Sequence, residues 1–239
     1  RQMKYMNRSI IIAVLIAAIS VGCQKNDYFT DTGKHKPNYE GTALDYLKSK
    51  PKMWDSLLKV IRIAGMEDVF QNETITFFAP ADSCITRTIT SLNFYLDGKG
   101  KPRVTRLDQI KPEVWKKQLS RYLFKEARSM NDYPQLDPGN LSAYPGQIYS
   151  SYLGDIMNIG VIYNDAGGVK YAGYRQLRLS FIPSISAPRD YNSWFSATVA
   201  TVNVAPTNGY VHVLNYPNHN FGFATNQFIE DVIDKGIIY

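Results

Sequence analysis

Apolar positions recur along this chain with two periods, and the period changes near residue 144. Thr42 offers a side-chain cap for a short helix through Leu47. Pro51 stands near the first turn of a second helix, where its missing N–H costs little. Met53, Trp54, Leu57, Leu58, Ile61 and Ala64 then share one face at helical spacing, and Gly65 is placed to end the run. Thr74 to Phe78, TITFF, is a short β-rich stretch closed by Ala79-Pro80, because proline removes a ladder donor. Asp82 is placed to cap a following helix. Pro112 opens what is expected to be the longest helix. Val114, Trp115, Gln118, Leu119, Tyr122 and Leu123 form its apolar stripe, with Lys116, Lys117, Arg121 and Lys125 off it or at its edge.

From Tyr144 onward the pattern is that of strands. Ile156 to Tyr163 is one and Tyr171 to Ile182 a second, separated by the turn Asn164-Asp165-Ala166-Gly167-Gly168. Ala197 to Val204 and Tyr210 to Leu214 are two more, split by Ala205-Pro206-Thr207-Asn208-Gly209. Near the end, Phe228, Ile229, Val232 and Ile233 return to helical spacing, placing a last helix on the core, and Ile237-Ile238-Tyr239 reads as a final strand or a partner contact. Helices in the first half and strands in the second predict an α+β domain rather than an alternating α/β one.

The first residues change the picture. Ile10 to Ile19 is an unbroken apolar run of ten, preceded by Arg1, Lys4 and Arg8 without an acid. A spanning helix needs about 20 residues, so this run has the length of a signal-peptide core. Met3 or Met6 is then the expected start. The order Ile19-Ser20-Val21-Gly22-Cys23 resembles a bacterial lipobox. That resemblance implies cleavage before Cys23 and a diacylglycerol on its thiol; the alternative is a short buried helix. One acyl chain holds a protein marginally and two or more hold it stably. Gln24-Lys25-Asn26-Asp27 resembles the stretch that directs lipoproteins to the cell surface in the Bacteroidetes. The expected organisation is a signal peptide over 1–22, a lipidated polar tether over 23–41, one domain over 42–216, and a C-terminal extension over 217–239. The expected location is the outer membrane, lipid-anchored, facing the exterior or the periplasm.

Charge and chemistry narrow the function. The chain carries 27 Lys+Arg against 21 Asp+Glu, a net +6. Loss of residues 1–22 removes three cations and leaves +3, which gives no reason to expect nucleic acid. Residues 97–106, DGKGKPRVTR, read as a solvated turn. With Cys23 acylated, Cys84 has no disulfide partner and reads as a small buried hydrophobe. His35, His212 and His219 show no metal-ligand spacing, so neither metal nor cofactor is expected.

Two segments, TITFFAPADSCI at 74–85 and NGYVHVLN at 208–215, together resemble the signatures of the fasciclin-like (FAS1) domain. AGMEDVF precedes the first, and TRLDQI with the Pro112 helix lies between them, in the order of that family. The resemblance implies a single FAS1-like domain whose helices pack on a β-sandwich or wedge. It gives Thr76, Phe78, Ala79, Pro80, Asn208, Gly209 and His212 as structural motif residues. His212 is then a buried ring whose nitrogens bond backbone; a ligand or base is the competing reading. Where family members carry a tyrosine-histidine pair implicated in adhesion, this chain has Tyr122-Leu123. Between Phe181 and Ala197, including 183–196, lies an insertion with Arg189, Tyr191, Trp194 and Phe195. These aromatics either stack on a sugar or protein partner or fold back over a sheet. With Tyr122 they are the candidate contact residues.

The expected function is a surface-anchored, non-catalytic adhesion or binding module for a glycan or a surface protein, resembling accessory parts of glycan-capture systems. A structural subunit of a surface assembly and a polysaccharide hydrolase are the alternatives. Asp155, Asp165 and Asp190 form no carboxylate pair recognisable by spacing.

Overall fold

The computed structural model describes residues 38–184, 190–215 and 217–239. Cys23, the signal segment, the tether as far as residue 37, and Arg189 lie outside the described residues.

Helix α1, Ala43–Lys48, begins at a capping box. The Thr42 hydroxyl accepts from the Asp45 amide at 3.2 Å, and the Asp45 carboxylate accepts from the Thr42 amide at 3.0 Å. Helix α2, Pro51–Ile63, buries Trp54, Leu57, Val60 and Ile61 and kinks at Trp54, whose φ of −134° and ψ of 24° are not helical. The kink frees the Ser56 and Leu57 amides, and the Asp82 carboxylate accepts both, at 2.8 and 2.9 Å. Asp82 therefore caps the far part of α2, whereas its own helix α4, Asp82–Gly98, starts without a side-chain cap. At its other end α2 closes with Gly65 N–H on Arg62 O and Met66 N–H on Ile61 O, both 3.0 Å, a Schellman pair. Helix α3, Glu67–Asn72, leads into β1, Ile75–Ala79.

The Pro112 helix is not the longest. That helix, α5, spans Pro112–Ser120, nine residues, against seventeen in α4. The helical spacing runs on through Tyr122 and Leu123, but the backbone does not follow it. The Tyr122 carbonyl is taken by the Phe78 amide of β1 at 2.9 Å, and the chain enters β2, Leu123–Lys125.

The remaining strands are β3 Gln147–Ser150, β4 Ile156–Tyr163, β5 Arg175–Phe181, β6 Phe195–Val204 and β7 Gly209–Leu214. They form one sheet in the order β2-β1-β7-β6-β5-β4-β3, antiparallel except for β1 with β7. Strand β6 belongs to both halves. Phe195–Thr198 pairs with β5, while Val199, Thr201 and Val204 pair with β7 across two register shifts. Such bulges bend and twist a strand, and the sheet curls until its two edges meet, where the Tyr152 amide donates to the Leu123 carbonyl. The α+β class and the division of helices and strands between the halves are those read from the sequence. Strand β5 begins at Arg175; Tyr171, expected in that strand, sits in a left-handed turn at φ 62°.

The domain is larger than 42–216. Asn38 bridges Ala205, and the Tyr39 amide donates to the Ala205 carbonyl at 2.9 Å, so the last tether residues belong to it. Residues 217–239 are built into the core. Helix α6, Thr225–Lys235, buries Phe228 and Val232, and the Phe228 ring lies 5.5 Å from that of Trp115. Ile237 makes one bridge to Ile110, and the Ile238 amide donates to the Gln109 carbonyl, while the Ile238 and Tyr239 side chains stay exposed. Among the described residues no helix is long and apolar enough to cross a membrane.

Candidate functional site

The motif residues build the corner between β1 and β7. Asn208 accepts from the Ala43 amide at 2.8 Å and donates to the carbonyls of Phe70 and Glu73 at 3.1 and 2.8 Å, joining α1 and α3 to β7. Gly209 follows at φ 149°. A Cβ there would stand 1.8 Å from the Ile75 carbonyl oxygen, so no other residue fits the parallel pairing. His212 is wholly buried. Its Nδ1 accepts from the Asn203 amide at 3.2 Å and its Nε2 donates to the Arg128 carbonyl at 3.0 Å. Asn203 sits in a β6 irregularity at φ 60°, and the imidazole satisfies the amide that the bulge leaves unpaired. Burial pushes the pKa of His212 down to about 4, so the ring is neutral at physiological pH. Thr76 donates to Glu126 O and accepts from Arg128 N–H, each at 2.8 Å. Phe78 packs between Phe124 and His212, and Ala79 and Pro80 are buried beside it.

The candidate contact residues part company. Tyr122 is buried with no exposed surface, so it has no face for a partner. Its hydroxyl accepts from the Gly222 amide at 2.7 Å, which leaves its proton for His219 Nε2 at 2.6 Å. His219 is therefore the Nδ1–H tautomer, and burial, with Arg87 nearby, lowers its pKa to about 3. Tyr191 and Trp194 fold back. They are half-buried with ring centroids 5.2 Å apart, and the Tyr191 hydroxyl accepts from Arg178. Phe195 alone turns outward, 43% exposed, its inner face near Phe181 with the rings close to parallel at 6.5 Å.

Phe195 stands on the wall of an open cleft of about 540 Å³. The loop after β7 and the start of α6 supply the rest of its lining: Asn218, Asn220, Thr225, Asn226 and Gln227, with the buried His219 and Phe223. The cleft continues over Ser196, Asn218 and His219 into a smaller basin of about 260 Å³ bounded by Arg178, Thr198 and Asn215. The loop that carries these amides is held rigidly from behind. Arg87 of α4 donates to the carbonyls of Pro217 and His219 at 2.8 to 3.1 Å. Arg121, only 1% exposed, donates to Gly222 O at 2.7 Å, to Gln118 and Gln227 at 3.0 Å, and to Asp155 at 3.3 Å. Its guanidinium lies 3.9 Å over the Phe181 ring that backs Phe195. A buried cation so fully engaged locks both walls together. Gly222 at φ 84° and Phe223 at φ 68° make the tight turn that brings α6 to the cleft.

Sequence reasoning missed the amide wall and the two arginines. The density of Asn in 215–226 was the available signal, because amides pair with many hydroxyls but with no fixed spacing. Cys84 is buried, and burial raises its thiol pKa, so it supplies no thiolate.

The chain matches no family model and no curated protein. Among solved structures it is similar to a FAS1 domain pair from the insect cell adhesion molecule fasciclin I, at 18% identity and a TM-score of 0.48. The match covers 80% of this chain and 52% of that one, so the chain spans about half the length of that structure. At this distance the likeness carries no assignment of activity or partner.

Proposed function

We propose that this protein is a non-catalytic binding module displayed on a bacterial outer membrane, tethered through an acylated Cys23, and that the Phe195 cleft is its contact site for a glycan. The observation that carries the reading is the pairing of one exposed aromatic face with a wall of amides and hydroxyls. An aromatic face suits the C–H side of a sugar ring, and Asn and Gln side chains both donate to and accept from its hydroxyls. The groups that acid-base or nucleophilic chemistry would call on here are otherwise engaged. His212 and His219 are neutral and hydrogen-bonded within the core, and the Cys84 thiol is held protonated. The anchor rests on the basic, apolar and small-residue order before Cys23. Accessory service to a glycan-capture system fits this arrangement.

A glycan array tests the proposal. The wild-type domain is expected to retain a defined set of neutral glycans, and Phe195→Ala to lose about tenfold or more in affinity for them with little change in melting temperature. An array silent for the wild-type chain, or hits that survive Phe195→Ala, would overturn it.

A further inference from the structure

The two edge strands of the sheet, β2 and β3, come together. Just beyond β3 the Tyr152 amide donates to the Leu123 carbonyl of β2 at 2.8 Å. Where the strands diverge, a second cavity of about 420 Å³ opens, away from the Phe195 cleft and sharing no residue with it. Phe124, Lys125, Arg128, Tyr133, Tyr149 and Tyr152 line it. Two features mark it as more than a packing gap. The Tyr149 hydroxyl is buried with no hydrogen-bond partner among the described residues. The Tyr133 hydroxyl beside it is set against Thr76, whose own proton goes to the Glu126 carbonyl. Native structures rarely leave such groups unpaired. Next, two cations lie over tyrosine faces at the rim: Lys125 Nζ is 5.5 Å from the Tyr152 ring and Arg128 Cζ is 5.5 Å from the Tyr149 ring. Arg128 also pairs with Glu126 at 2.6 Å, while Lys125 has no acidic partner among the described residues.

We infer that this seam is a second binding site, specific for an acidic sugar residue. Its carboxylate draws Lys125 and Arg128 off the tyrosine faces, and its ring and hydroxyls take up the exposed faces and the unpartnered Tyr149 phenol. Lys125 and Arg128 are the cations at the opening that would meet a carboxylate; Glu126 pairs with Arg128, Asp132 faces Tyr149, and Glu73 accepts from the Tyr152 hydroxyl. The Glu126 oxygens and the phenols suit sugar hydroxyls, and the rings suit its C–H face. The inference rests on the glycan reading of this protein but on a different set of residues.

The test is calorimetric titration of the full-length chain in detergent with tri-galacturonate. Neutral galactotriose, acetate and sulfate are run beside it. Saturable binding of the uronate tighter than about 1 mM is expected. Lys125→Gln and Tyr149→Phe should each weaken it about fivefold. Tyr149→Phe should do so without lowering the melting temperature, since it deletes a hydroxyl that bonds nothing. Phe195→Ala should leave uronate affinity unchanged. Absence of saturation by about 10 mM uronate, seam variants that bind uronate as tightly as the wild-type chain, or equal competition by acetate or sulfate would overturn the inference. If galactotriose or an array hit still binds through Phe195 in that case, the seam alone fails. If no sugar binds anywhere, the glycan reading fails with it.

Discussion

Acid should destabilise this fold well above the carboxylate range, and the cause is two histidines. His212 and His219 are buried and neutral, with folded pKa values lowered to about 4 and about 3 from 6.5. A lowered histidine pKa means that the unfolded chain binds protons the folded chain refuses. The stabilisation is complete above pH 6.5 and is lost as pH falls from there toward each folded pKa. Between pH 7 and 5 each ring contributes a loss of about 2 kcal/mol, together about 4 kcal/mol, with a slope near pH 5 of about 2.7 kcal/mol per pH unit. That is a large share of the roughly 5–15 kcal/mol that holds a domain folded. Asp45 and Asp137, whose folded pKa values lie below 3.8, add nothing in this window. Urea denaturation of the domain at pH 7, 6 and 5 reads the slope directly, and His219→Gln should halve it. A stability that stays level from pH 7 to 5 would refute the reasoning, because it would require both rings to take up protons inside the fold.

Other outcomes follow from single contacts. Tyr122→Phe leaves the Gly222 amide and His219 Nε2 without a partner in the core, costing about 3 kcal/mol, and should lower the melting temperature by about 10 °C in calorimetry. Asp82→Ala uncaps the kink of α2 and should cost about 1–2 kcal/mol, seen as a lower urea midpoint with an unchanged m-value. Cys23→Ser should move the protein from the membrane fraction to the soluble one; full retention in the membrane would remove the lipid anchor from the proposal.

Much of the architecture was legible along the chain because it is written locally. Thr42 caps α1, Gly65 closes α2, and β5 turns Leu177, Leu179 and Phe181 inward at the spacing of a half-buried strand. What was not legible depends on partners distant in sequence. The helical stripe from Val114 continues through Leu123, yet the carbonyl of Tyr122 bonds Phe78 and turns the chain into a strand. Helix α4 is rich in Thr and Ile, residues that weaken isolated helices, and forms by packing Ile85, Leu92 and Leu96 inward. Strand β3, QIYS, is short and largely exposed, so it leaves little alternation to read. At the candidate site, Phe195 was legible as an aromatic in a loop. Its amide wall was not, because Arg87 and Arg121 position it from two helices or turns about a hundred residues earlier.

The most direct test of the central claim is a nuclear magnetic resonance titration of the domain with a glycan selected on the array. The side-chain amides of Asn218, Asn220, Asn226 and Gln227 should shift together with the Phe195 ring, and Phe195→Ala should abolish those shifts. Shifts confined to other surfaces, with these five residues unmoved, would contradict it.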